Sequence, residues 1–184
     1  MACAAALLLG CAAGPKTGPS PGSSSPSSSS AEPAAAQPTA PAGENAPLPP
    51  LSYALLDGSQ WTAQSARDEI LVIDVWATWC VPCRKAFPKL EHIATAYQGV
   101  SVVAISVDEE DSVVEKFLAE VPVSFTIARD PTLSLRDGPL GVSKLPTVLI
   151  VDRAGVIRYR GEQLNVADYD QVERMVAELV RSGS

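Results

Sequence analysis

Cys80 and Cys83, in the segment Trp79-Cys80-Val81-Pro82-Cys83, are the residues of this chain whose type and spacing most directly imply chemistry. Two cysteines separated by two residues can close a small disulfide or give two ligands to a soft metal. Their setting separates these options. Ile70 to Val75 is an apolar run rich in β-branched residues, which reads as a buried strand. Arg84 to Gln98 reads as a helix. Cys80 therefore stands where a strand hands over to a helix N-terminus. Unpaired backbone N–H groups and the helix dipole favour a thiolate there, and the thiolate is the attacking species in disulfide exchange. The pair thus reads as a thiol–disulfide redox centre. A tetrahedral zinc site would need two further ligands. There is no second CxxC, and the single histidine, His92, shares a helix face with Lys85 and Lys89. No metal is expected, and no cofactor beyond the cysteine pair. Copper held by Cys80 and Cys83 is the alternative from another class.

Asp74 is the second candidate. It lies inside the apolar strand, six residues before Cys80. A lone carboxylate there loses hydration, which raises its pKa and suits it to proton transfer. Satisfaction by backbone or water at a strand end is the plainer reading.

The stretch Asp74-Val75-Trp76-Ala77-Thr78-Trp79-Cys80-Val81-Pro82-Cys83 resembles the active-site segment of the thioredoxin superfamily. Lys144-Leu145-Pro146-Thr147, ahead of the run Val148-Leu149-Ile150-Val151, resembles the cis-proline loop that faces the disulfide in that fold. With Arg84-Lys85 and Phe87-Pro88 following, the chain is similar to the TlpA/ResA-like branch of extracytoplasmic, membrane-tethered oxidoreductases, over about residues 51–181. The resemblance implies protein thiol or disulfide substrates and a membrane thiol electron donor. It makes Cys80 the nucleophile and Cys83 the buried resolving thiol. Pro146 becomes cis, with the backbone around Leu145 offered to an incoming peptide. Trp79, Val81 and Pro82 complete the docking rim. Val81-Pro82 gives the thiolate neither charge nor hydrogen bond, which points to a reductant; an oxidant or isomerase is the alternative on the same fold.

Asp74 matches the buried proton-relaying acid of thioredoxins. The branch's glutamate, three residues after the second cysteine, is replaced here by Ala86, and the lysine that partners the acid in many thioredoxins is replaced by Ala104. Asp74 is therefore expected to serve Cys83 as base and acid. The branch's task of reducing apocytochrome c cysteines before haem attachment rests on the position now held by Ala86.

Residues 1–11 end in Leu8-Leu9-Gly10-Cys11, which resembles a lipoprotein signal with Cys11 as the lipidated residue. Residues 12–50 are Ala, Pro, Ser and Gly-rich and read as a disordered linker. Residues 51–184 form the expected domain, extracytoplasmic and lipid-anchored to a bacterial membrane. That domain holds 13 Lys and Arg against 19 Asp and Glu, which argues against nucleic acid as a partner. Nothing looks like a dimerisation element, and a monomer is expected.

The elements that must position the site follow from periodicity. Tyr53–Leu56 and Gln60–Thr62 read as a leading hairpin, and Val100–Val107 as a second buried strand. Asp108-Glu109-Glu110-Asp111 reads as the start of a helix carrying Val113, Val114, Phe117 and Leu118. Val123–Ala128 reads as a short strand, and 130–135 as a brief helix. A hairpin of Val148–Val151 and Val156–Tyr159 follows, then an amphipathic helix through Val172, Met175, Val176, Leu179 and Val180. The expected fold is α/β: a thioredoxin-type mixed central sheet flanked by helices, with a leading hairpin. The 38 positions from Asp108 to Pro146 hold a central insertion.

Overall fold

The computed structural model describes residues 42–183. Its elements are β1 (Ser52–Leu55), β2 (Gln60–Thr62), β3 (Ile70–Trp76), α1 (Val81–Ala96), β4 (Val100–Ser106), α2 (Asp111–Glu120), β5 (Thr126–Arg129), α3 (Ser134–Asp137), β6 (Thr147–Val151), β7 (Ile157–Glu162) and α4 (Tyr169–Ser182). One mixed sheet runs in the order β2-β1-β5-β4-β3-β6-β7. β3, β4 and β5 are parallel, while β6 pairs antiparallel with β3.

All seven residues of β3 are buried, because both faces of the sheet are covered. Strand alternation sends its residues to two different cores. Ile70, Val72 and Trp76 pack with Cys83, Phe87 and Leu90 of α1, Phe117 of α2, and Tyr169, Val172 and Val176 of α4. Leu71, Ile73 and Val75 pack with Trp61, Leu135, Leu140 and Val142 on the opposite side. The parity of a β3 residue thus decides whether it meets the active-site helix. Position 74 is even.

Several boundaries differ from the sequence reading: the strand expected at Val123–Ala128 runs Thr126–Arg129, and the one expected at Val156–Tyr159 runs Ile157–Glu162. Composition ends the linker at residue 50, but residues 42–50 lie along the domain. The N–H groups of Ala42, Asn45 and Leu48 donate to the carbonyls of Pro139 (2.8 Å), Ile157 (2.7 Å) and Gly155 (2.8 Å). This attachment is made by backbone, so side-chain composition does not register it. The earlier residues, Cys11 among them, lie outside the described residues. The brief helix starts at Ser134, not at residue 130, because the Asp130 carboxylate accepts the N–H groups of Ser134 (2.9 Å) and Leu135 (2.8 Å) and anchors the turn from outside. The helix expected from Asp108 begins at Asp111; Asp108 turns inward instead.

Candidate active site

Cys80 is the N-cap residue of α1, and Pro82 sits in the first turn, where its missing N–H costs nothing. Cys80 and Cys83 are joined as a disulfide, with Cα atoms 5.3 Å apart. Cys80 Sγ accepts a hydrogen bond from the Cys83 backbone N–H at 3.3 Å. A Cys80 thiolate would therefore meet a helix N–H and the positive end of the α1 dipole. Cys80 is 6% exposed and Cys83 fully buried, so an incoming sulfur has access to Cys80 first.

Asp74 is fully buried on the face that meets α1 and α4. Its neighbours in register are Ala104 on β4 and Val148 on β6, neither of which can offset its charge. Among the described residues its one hydrogen-bond donor is the Tyr169 hydroxyl, from the first residue of α4, at 2.7 Å to Oδ1. Oδ2 has no partner. Desolvation pushes the carboxyl up to about 7, against the opposing effect of the Tyr169 hydrogen bond. Burial, with the Asp74 charge beside it, raises the Tyr169 phenol and keeps it a donor. Tyr169 was not singled out in the sequence. The signal was there in part: residue 169 continues the stripe of Val172 and Val176 three and seven positions upstream. Nothing local pairs it with a residue 95 positions away.

The Leu145–Pro146 bond is cis. Trp79 and Leu145 line one hollow of about 210 Å³, with Val75 and Val107 at its side. Val81 and Pro82 line another with Lys85 and residues Asn165–Ala167. The expected docking residues are thus divided between two hollows. Trp79 is 69% exposed, while Trp76 is buried edge-on against Phe87 with ring centroids 4.4 Å apart. His92 is exposed and lies 3.2 Å from Glu173, and Lys89 pairs with Asp170 at 2.6 Å. Both contacts tie α1 to α4.

A buried polar cluster next to Cys80 also escaped the sequence reading. Asp108 accepts the Thr78 N–H (2.8 Å, Oδ2), the Thr78 hydroxyl (2.8 Å, Oδ1) and the Ser106 hydroxyl (2.8 Å, Oδ2). Arg129 donates to Ser106 Oγ (2.9 Å), the Asp108 carbonyl (2.9 Å) and Asp111 Oδ1 (2.7 Å). These groups gather at the carboxyl ends of the parallel strands β3, β4 and β5. They fix the loop Ala77-Thr78-Trp79 that delivers Cys80.

Comparison with known proteins agrees with this geometry. A family model described as Redoxin matches residues 36–177. The thiol-disulfide oxidoreductase ResA of Bacillus thuringiensis (strain Al Hakam) is 29% identical over 104 residues, which is 55% of this chain and 60% of the relative. ResA of Halalkalibacterium halodurans is 27% identical over 127 residues, 68% of each chain. The match thus spans about 60% of the length of the first of these curated relatives. A crystal structure assigned as a thiol:disulfide interchange protein DsbE, from Chlorobium tepidum, superimposes with a TM-score of 0.71 at 28% identity, covering 76% of this chain and 99% of that one. The fold is thioredoxin-like, of the TlpA/ResA-like kind.

Proposed function

We propose that this chain, which belongs to the Redoxin family, catalyses thiol–disulfide exchange with protein substrates and acts as a reductant. The observation that carries the reading is the Cys80–Cys83 disulfide at the N-terminus of α1, with a buried, half-satisfied Asp74 on the strand face that packs against that helix. In the reduced protein, the Cys80 thiolate attacks one sulfur of a substrate disulfide. The substrate S–S bond breaks, and its first sulfur leaves as a thiolate that takes up a proton. Asp74 accepts the Cys83 proton. The Cys83 thiolate then attacks Cys80 Sγ, the mixed disulfide breaks, and the second substrate sulfur leaves and is protonated. Two electrons and two protons pass to the substrate, and the Cys80–Cys83 disulfide re-forms. An external dithiol must then restore the protein, and we assign that task to a membrane thiol donor.

A carboxyl near 7 matches this proton transfer at neutral pH. Leu8-Leu9-Gly10-Cys11 supports lipid anchoring at Cys11 and an extracytoplasmic location. Reduction of insulin by the full chain with dithiothreitol tests the activity. Cys80→Ser should abolish it, and Cys83→Ser should accumulate a mixed disulfide through Cys80. Asp74→Asn should slow resolution at pH 7; an unchanged rate removes Asp74 from the mechanism. Titration in thiol redox buffers tests direction: a potential near or below roughly −230 mV fits a reductant, and one near roughly −120 mV an oxidant.

A further inference from the structure

We propose that the hollow between α1 and α2 docks an acidic, apolar-bearing segment beside the cysteine of the partner protein. This rests on the exchange reading above and names the substrate chemistry that the redox face selects. The hollow is about 250 Å³ and lies on the α2 side of Trp79, apart from the hollow that Trp79 shares with Leu145. Trp79, Val113 and Phe117 give it an apolar lining, and Arg84, Lys116 and Glu120 supply its charges.

Three large apolar side chains are exposed among the described residues: Trp79 (69%), Val81 (55%) and Val113 (40%). Two of them line this hollow, and the third is the residue after Cys80. Exposed apolar surface gathered at a reactive sulfur marks a contact face. The charges name what it contacts. The chain is strongly acidic, at a net −7. Yet Arg84 and Lys116 have no carboxylate within ion-pair distance among the described residues. The Arg84 guanidinium lies 6.0 Å from the centre of the Phe117 ring, so a carboxylate would meet it against an apolar backing. Lys85, one residue on, is likewise without an ion pair and lines the neighbouring hollow.

The Leu145 side differs. There Arg136 is engaged by Asp137 (3.1 Å) and Lys144 by Glu162 (3.6 Å). Glu109 and Glu110, exposed on the turn into α2, line neither hollow. An acidic partner is thus repelled by most of this protein and drawn to Arg84 and Lys116, the two cations that outnumber Glu120 in this hollow. A basic partner has no such reason to find the disulfide.

The test uses the reduced full chain and two disulfide-closed peptides. These are identical except that Asp or Lys residues flank an apolar residue next to the cysteine. Single-turnover reduction is followed by the fluorescence of the tryptophans at the disulfide. The Asp peptide should react about tenfold faster at low ionic strength, and the ratio should fall toward one in 1 M salt. The double variant Arg84→Glu, Lys116→Glu should invert the ratio. Each ratio is taken within one protein, so a general loss of activity cancels. A wild-type ratio of one, a preference for the Lys peptide, or a ratio that the double variant does not move overturns the proposal. If a small cyclic disulfide is still reduced in that case, docking alone has failed. If no disulfide is reduced at all, the exchange reading falls and the docking proposal with it.

Discussion

Asp74 and Asp108 are buried aspartates at the redox end of the same sheet, one inside β3 and one just past β4, and they are held in opposite ways. Asp108 receives three hydrogen bonds on its two oxygens, and the Arg129 guanidinium is bonded to its carbonyl and to its Ser106 partner. Asp74 receives one, from Tyr169, and its second oxygen faces no donor. Asp130 and Asp152 follow the Asp108 pattern, with both oxygens accepting hydrogen bonds. Burial is common to all four; satisfaction is what separates them. A satisfied carboxylate builds structure. An under-satisfied one changes its protonation readily, and proton transfer needs that.

The largest expected effect breaks the locked member. Asp108→Ala would leave the Thr78 N–H and the Thr78 and Ser106 hydroxyls without their carboxylate acceptor at the loop before Cys80, while Arg129 keeps Asp111 and the backbone carbonyl of residue 108. Three hydrogen bonds to a charged group, each worth roughly 1.5–3 kcal/mol, are lost, so stability should fall by at least roughly 4 kcal/mol, read by urea denaturation of the oxidised protein. Asp74→Asn should act in the other direction. Burial pushes the folded carboxyl up to about 7 from an ordinary carboxylate value of 3.8. Below pH 3.8 both folded and unfolded states are protonated, and burial carries no ionic penalty. As pH rises through the window between these values, the unfolded chain ionises first and the native state loses stability. Above 7 the penalty is complete. Asp74→Asn should therefore stabilise the oxidised protein at pH 8, by at most roughly 4 kcal/mol, with the gain vanishing near pH 4. A loss of stability at pH 8 would place Asp74 with Asp108 and end the distinction.

The same contrast explains what was legible in the sequence. Cys80, Cys83 and Asp74 sit within ten residues on one strand-to-helix unit, so their relation is local and shows in the chain. β3 and α4 were legible because an apolar run and a helical stripe need no partner to be recognised. The contacts that tune the site are not local. Tyr169 reaches Asp74 across 95 positions, and Asp108 reaches Thr78 across 30. Asp108 was read as a helix-start acid because Asp-Glu-Glu-Asp is what such a start looks like. Its inward turn depends on Thr78 and Ser106, brought alongside by the parallel pairing of β3 and β4. The attachment of residues 42–50 was missed for a related reason, since backbone groups carry it.

Two smaller changes sharpen the comparison by touching one partner of each carboxylate. Tyr169→Phe removes the donor that holds the Asp74 carboxyl down, so the carboxyl should move further up, above 7. A hydrogen bond to a charged group is worth roughly 1.5–3 kcal/mol, which corresponds to a rise of about one to two pH units. Asp74 is faced by Tyr169 on α4, with Tyr159 on β7 adjoining Tyr169. Carboxyl NMR of the oxidised protein isolates Asp74, because a disulfide-bonded Cys83 does not titrate. Thr78→Val keeps the backbone N–H bond to Asp108 and loses only the hydroxyl bond. It should cost about 1 kcal/mol in urea denaturation. It should leave the Asp74 titration where it is, since Thr78 and Asp108 make no contact with that carboxyl in the hydrogen-bond network. A shift of the Asp74 midpoint in Thr78→Val would mean that the two carboxylates are coupled through the loop before Cys80. The locked cluster would then help set the proton chemistry of the pair instead of only positioning it.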